Sequence, residues 1–136
     1  VVRIAHTYDA DGNQITTDCY DLDGSLMQTD TCTYNSAGQM TRRDTTFPGE
    51  AGRYVLYEYD DQGYQTKCSY YAEDGTLESY EVLTYDGGKR CTGFECYNGD
   101  GELETYMVFR YDEQGNHIGS DYYDGAGNLT FSEVYD

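Results

Sequence analysis

The stretch Tyr57–Asp86, YEYDDQGYQTKCSYYAEDGTLESYEVLTYD, decides the fold. It holds three copies of one device. A Tyr opens a short, Asp-rich turn with Gly four positions later, as in Tyr59-Asp60-Asp61-Gln62-Gly63, and polar and apolar residues then alternate until the next Tyr. In such a turn the leading Asp bonds to backbone two residues on, and Gly supplies the positive φ that follows a type I turn. The expected result is a three-residue hairpin connection with a Gly bulge.

Outward from this stretch the device runs from one end of the chain to the other. The ring residues that open the turns are Tyr8, Tyr20, Tyr34, Phe47, Tyr59, Tyr71, Tyr85, Tyr97, Tyr111, Tyr123 and Tyr135. Alternate markers recur at 25 or 26 residues, so one unit is two turns and two strands. Two sites depart from the pattern. Asp86-Gly87-Gly88-Lys89 reads as one residue shorter, and Phe47-Pro48-Gly49-Glu50-Ala51-Gly52 as longer, with the only Pro of the chain. The segments between turns have strand length, are rich in Thr, Tyr, Val and Cys, and show no helical period. Residues 1–136 therefore read as a single all-β domain, an antiparallel meander of about eleven strands.

Pairing outward from each turn places Tyr59 opposite Gln65, Tyr71 opposite Leu77 and Tyr97 opposite Leu103. On that register Tyr59, Tyr71, Tyr85, Tyr97, Tyr111 and Tyr123 share one side, and Phe94, Tyr106 and Tyr122 form a row on the other. Cys68 falls opposite Tyr80, Cys19 opposite Leu26 and Cys96 opposite Glu104, so no hairpin brings two cysteines together. Neither face reads as a clean buried core. A single-layer curled sheet fits better than a sandwich, with closure into an up-and-down barrel as the alternative.

Composition narrows the function classes. The net charge is −18 with only 8 Lys and Arg, which excludes nucleic acid as a partner because phosphate binding needs clustered cations. No apolar run is long enough for a membrane span, so this fragment is not expected to insert in a bilayer. The chain opens in mid-pattern without an initiator Met, as a fragment of a longer protein does, and shows no signal-peptide pattern. Five cysteines at irregular spacing make neither a disulfide framework nor a zinc set. His6 and His117 have no ligand-spaced neighbours. Asp-x-Asp-Gly in Asp9–Gly12 and Asp21–Gly24 lacks the Glu at the twelfth position of a calcium loop, where Tyr20 stands for the first. No nucleophile elbow, P-loop or dinucleotide fingerprint is present. The expectation is a protein without enzymatic activity, metal or cofactor.

The Tyr-Asp-x-x-Gly-Asn runs at Tyr8–Asn13, Tyr111–Asn116 and Tyr123–Asn128 resemble the YD-repeat (RHS-like) pattern, which covers nearly the whole chain. That resemblance implies hairpins joined edge to edge into long curling sheets, in secreted or surface-exposed bacterial proteins that act as shells, spacers or binding surfaces. The units here are too few for an enclosing shell. The expected role is a non-enzymatic interaction or spacer module at the bacterial surface, with a protein or a glycan as partner. The alternatives are a carbohydrate-binding surface and a barrel carrying a small ligand. Tyr59, Tyr71, Tyr85, Tyr97, Tyr111 and Tyr123 are the candidate binding residues, because rigid rings with hydroxyls bind at low entropy cost.

Overall fold

A computed structural model describes residues 3–135. It contains eleven strands: β1 (Arg3–Tyr8), β2 (Gln14–Tyr20), β3 (Leu26–Tyr34), β4 (Met40–Phe47), β5 (Glu50–Tyr59), β6 (Gln65–Ala72), β7 (Leu77–Tyr85), β8 (Cys91–Asn98), β9 (Leu103–Tyr111), β10 (His117–Asp124) and β11 (Leu129–Val134). They form one sheet in strict chain order, each strand antiparallel to the next. β1 and β11 each pair on one side only, so the sheet is open and the barrel alternative is excluded. Among the described residues no helix is long and apolar enough to cross a membrane.

The turns form by the expected chemistry. In the first, the Asp9 N–H donates to the Asn13 carbonyl at 2.9 Å and the Gly12 N–H to the Asp9 carbonyl at 3.2 Å. The Asp9 carboxylate accepts the N–H groups of Asp11 and Asn13 at 2.9 and 2.8 Å. The same backbone pair of bonds recurs in nine turns, that of Asp86 included. The Asp86 turn is therefore not shorter, as its sequence had suggested. Lys89 occupies the glycine position with φ 65°, and its N–H donates to the Asp86 carbonyl at 3.0 Å. Nor is the Phe47 connection longer. Phe47 pairs with Glu50, so Pro48-Gly49 is a two-residue turn, with Gly49 at φ 78° and Pro in the position that its fixed φ suits.

One feature of the ladder escapes the turn signature. One pair beyond the turn, Tyr59 faces Gln65 as expected, but the next pair is Glu58 with Lys67, leaving Thr66 as an extra residue. A bulge of this kind follows the turn in hairpin after hairpin, between Tyr70 and Tyr71, Thr84 and Tyr85, Cys96 and Tyr97, and Tyr122 and Tyr123. Because side chains alternate with period two, one extra residue moves every later side chain of the strand to the other face. The expected pairings beyond the turns are accordingly displaced by one or two. Phe94 faces Met107 rather than Tyr106, and Tyr106 faces Tyr123 rather than Tyr122. Cys68 faces Glu81, Cys19 faces Gln28 and Cys96 faces Thr105. No two cysteines stand opposite one another, and all five are unpaired.

Burial is thin, as a single layer requires. Among the described residues the buried hydrophobic ones are Cys32, Val55 and Cys68, and the buried polar ones Thr45, Ser69 and Ser120, of which Ser120 is the most enclosed. Neighbouring strands, not a second layer, must supply the packing.

Candidate functional site: two tyrosine rows and a cleft

The bulge divides the six candidate tyrosines between the two faces. Tyr71, Tyr97 and Tyr123 lie on the face that also carries Tyr54, Tyr80 and Tyr106; Tyr59, Tyr85 and Tyr111 lie on the opposite one. The expectation of one shared side is therefore corrected. It assumed unbroken alternation from turn to turn, and the extra residue inverts it once per strand.

On the first face each candidate ring is stacked on its cross-strand partner. Tyr54 and Tyr71 are 4.8 Å apart between centroids, Tyr80 and Tyr97 4.7 Å, and Tyr106 and Tyr123 4.6 Å, with interplanar angles of 6–7°. One flat face of each ring is thus spent on its partner. Two of the outer faces are spent on cations: the Arg42 guanidinium lies 4.0 Å over Tyr54, and the Lys67 ammonium 4.6 Å over Tyr80. A sugar ring stacks on an aromatic face, and these stacks reduce what each ring can offer to its single outer face. The Tyr97 hydroxyl donates to Glu95 at 2.6 Å, a bond to carboxylate that raises its pKa.

On the second face the rings act through their hydroxyls. Tyr34 donates to the Gln14 carbonyl at 2.8 Å, Tyr59 to Met40 at 2.7 Å, Tyr85 to Gln65 at 2.7 Å and Tyr111 to Cys91 at 2.6 Å. Every acceptor is the first residue of the strand that follows the preceding turn on the same margin. Each ring therefore ties one repeat to the repeat before it, spanning about twenty residues of chain. Burial of the rings pushes the pKa values of Tyr34, Tyr59 and Tyr85 up, which keeps the donating proton in place. All six candidate rings are half-buried. Their geometry is that of braces.

His117 lies among Phe109, Tyr111 and Tyr135, at 5.3, 5.4 and 5.1 Å between centroids, with Nε2 3.2 Å from the Ser120 hydroxyl. His6 contacts the Thr17 hydroxyl. Among the described residues no group of three or more His, Cys, Asp or Glu is arranged to hold a metal. In the turns, bonds from side chain and backbone of Asn13, Asn116 and Asn128 hold Asp9, Asp112 and Asp124 below the usual carboxylate pKa.

A feature not apparent from sequence lies across β3 to β7. It is a cleft of about 450 Å³ around Val55, lined by Asp30, Arg43, Arg53, Tyr70 and Glu78 among others, and it also touches Tyr54 and the candidate Tyr71. Asp30 accepts bonds from the Thr45 hydroxyl at 2.6 Å and the Gln28 amide at 3.0 Å. Five of the eight cationic residues have carboxylate partners: Arg42 with Asp44, Lys67 with Glu58, Lys89 with Asp60, Arg90 with Asp86 and Arg110 with Asp121. Among the described residues Arg3, Arg43 and Arg53 have none. Arg3 lies over the Tyr20 ring, whereas Arg43 and Arg53 line this cleft, with Arg53 also 5.5 Å from the Phe47 ring centroid. Sequence reading missed it because its members come from different strands, and only the bulged register brings them to one place.

No protein-family model matches the chain, and no curated protein matches it. Among solved structures it is similar to the TcdB2-TccC3-Cdc42 complex at TM-score 0.39 and 10% identity, covering 98% of this chain and 10% of that one. It is also similar to a protein of unknown function from Bacteroides fragilis NCTC 9343, at TM-score 0.33 and 10% identity, covering 99% and 92%. The chain thus spans a tenth of the first of these. Likeness at this level carries no argument about function.

Proposed function

We propose that this domain is a non-enzymatic spacer or interaction module of a bacterial protein displayed outside the cytoplasm. The observation that carries the reading is the repeated hydroxyl tie on one face. Four tyrosines in successive repeats each fix a carbonyl of the repeat before, so eleven strands extend as one braced sheet without a second layer. At about 4.8 Å per strand the sheet spans roughly 50 Å across its strands. Such a sheet is suited to holding apart or presenting whatever adjoins it. The display outside the cytoplasm is supported by the YD-repeat resemblance of the turn sequences. Unpaired thiols are compatible with an oxidising compartment here, because the ladder places no two cysteines opposite each other.

The test is protease treatment of intact cells that make the full-length chain, followed by detection of this domain with a specific antibody. Digestion without lysis is the expected result. Protection until the cells are broken would overturn the placement.

The glycan reading moves with the geometry. The stacked row spends one face of each ring on its partner, and the second row spends its hydroxyls on backbone carbonyls. Carbohydrate recognition would therefore belong to the cleft across β3–β7, whose lining includes Tyr54 and the candidate Tyr71.

A further inference from the structure

We propose that the cleft across β3–β7 is a binding site for a singly charged acidic sugar, a uronate, whose carboxylate is taken by Arg43 and Arg53. This extends the reading of the domain as an interaction module by naming a ligand class.

Charge singles out the two arginines. In a chain with 26 Asp and Glu against 8 Lys and Arg, an arginine without a carboxylate partner is the exception. Arg43 and Arg53 are two of the three such exceptions among the described residues, Arg3 being the third, and these two share one cleft. Arg43 faces Val55 and Thr45 faces Arg53 across β4 and β5. The arginines are therefore diagonal neighbours on one face, about 7–8 Å apart at their bases. Two planar guanidinium forks at that spacing can close on one carboxylate, the geometry in which arginine excels. One carboxylate of the cleft, Asp30, is already engaged by Thr45 and Gln28.

The rest of the lining selects the kind of anion. With Asp30 held by Thr45 and Gln28 and the Tyr70 hydroxyl donating to Glu81, Glu78 offers an acceptor for hydroxyl groups and Ser79 a hydroxyl of its own. A ligand that satisfies them carries hydroxyls beside one carboxylate. The net charge of −18 weighs against a phosphate dianion or a polyanion, since repulsion grows with ligand charge. A volume of about 450 Å³ sits within the range of small-ligand sites and accommodates one or two sugar rings.

Galacturonate, glucose and inorganic phosphate, titrated separately into the ¹⁵N-labelled domain, test this by NMR. The expected result is saturable shifts of β3–β7 amides with galacturonate and affinity at least about tenfold weaker for glucose, which loses the charge-assisted pair, and for phosphate, which lacks the sugar hydroxyls and meets stronger repulsion from the chain's net negative charge. Arg43→Gln with Arg53→Gln should abolish the difference between galacturonate and glucose while leaving the melting temperature unchanged, because both side chains are exposed. Arg43→Lys should keep part of the affinity. Equal binding of glucose, equal binding of phosphate, shifts that map elsewhere, or a double variant that binds as the parent does would each overturn the assignment. Trigalacturonate incubated separately with the domain separates the two readings: its cleavage would overturn the non-enzymatic role, whereas absence of galacturonate binding would leave that role standing and remove only the uronate.

Discussion

The sheet solves one structural problem twice, with different chemistry at its two ends. From β5 to β10 the equivalent cross-strand pairs are Tyr54–Tyr71, Tyr80–Tyr97 and Tyr106–Tyr123, all stacked. At the corresponding places in β1 to β4 stand Arg3–Tyr20 and Thr29–Thr46. The first is a cation over a ring at 5.0 Å, and the second a pair of small hydroxyl side chains. Hydroxyl networks fill in around them: Thr29 donates to Asp18 at 2.6 Å and Thr45 to Asp30 at 2.6 Å. The hydroxyl ties of Tyr34, Tyr59, Tyr85 and Tyr111, by contrast, run through both ends. The difference teaches which device is obligatory. A continuous single layer must have its repeats tied together; how a pair fills the opposite face is open to variation.

The largest expected effect comes from breaking the stacked end. Tyr80→Ala removes a half-buried ring that lies between Lys67 and Tyr97, and should cost about 2–3 kcal/mol from lost burial and stacking. Thr29→Ala, at the equivalent place in the other end, should cost less than about 1 kcal/mol. Urea denaturation of both variants measures the gap. Equal costs would mean that the two ends are braced alike.

How much of this was legible in the sequence follows from the same residues. The turns were legible because Gly at positive φ and Asp at the turn's start are local requirements, met within five residues. The open meander followed from them. The bulge was not legible, since it takes no single residue type: Thr66, Thr92 and Glu104 all stand as the extra residue in their strands. A signal existed nonetheless. The hydroxyls of Thr41, Thr66 and Thr130, each three residues after a turn glycine, reach the carbonyls of Thr33, Glu58 and Tyr122, eight residues back. Missing one residue per strand put six tyrosines on one face that belong to two, and scattered the members of the cleft. Lys89 hid a regular turn by standing where the pattern has Gly.

High pH should act on the rings in common. Burial raises the pKa values of Tyr57, Tyr59, Tyr70 and Tyr85, most of all Tyr70, whose hydroxyl also donates to Glu81 at 3.2 Å. A raised pKa means that the folded chain holds protons which the unfolded chain releases near pH ~10. Stability is therefore complete below that pH and falls as pH rises through the folded values. Denaturation midpoints should be flat from about pH 7 to about 9 and decline steeply above about 10. Tyr70→Phe should make the decline shallower by about one proton. An unchanged slope would show that Tyr70 does not drive it.

The hydroxyl ties make a sharper contrast at smaller size. Tyr85→Phe deletes only the oxygen that donates to the Gln65 carbonyl, and should cost about 1 kcal/mol. Tyr59→Phe and Tyr111→Phe should match it. Tyr80→Phe keeps the stacked ring, so its cost should be near zero. If the Phe variants of the two rows were alike, the division into ties and stacks would fail.

The smallest effect tests the one turn that departs from glycine. Lys89 holds φ 65°, a conformation that costs an L-residue roughly 1–2 kcal/mol and costs glycine little. Its ammonium recovers part of this by reaching Asp60 at 3.6 Å and the Tyr64 ring at 5.1 Å, which joins the Asp86 turn to the turn one repeat earlier. An ion pair that exposed is weak and is screened by salt. The backbone term should therefore win, and Lys89→Gly should stabilise the domain by about 0.5–1 kcal/mol. Salt separates the two contributions: the gain should grow as sodium chloride is raised, because screening has already weakened the ion pair that the substitution removes, while the backbone term is insensitive to salt. A Lys89→Gly variant less stable than its parent in high salt would show that the side chain's reach across repeats outweighs the strain of its backbone.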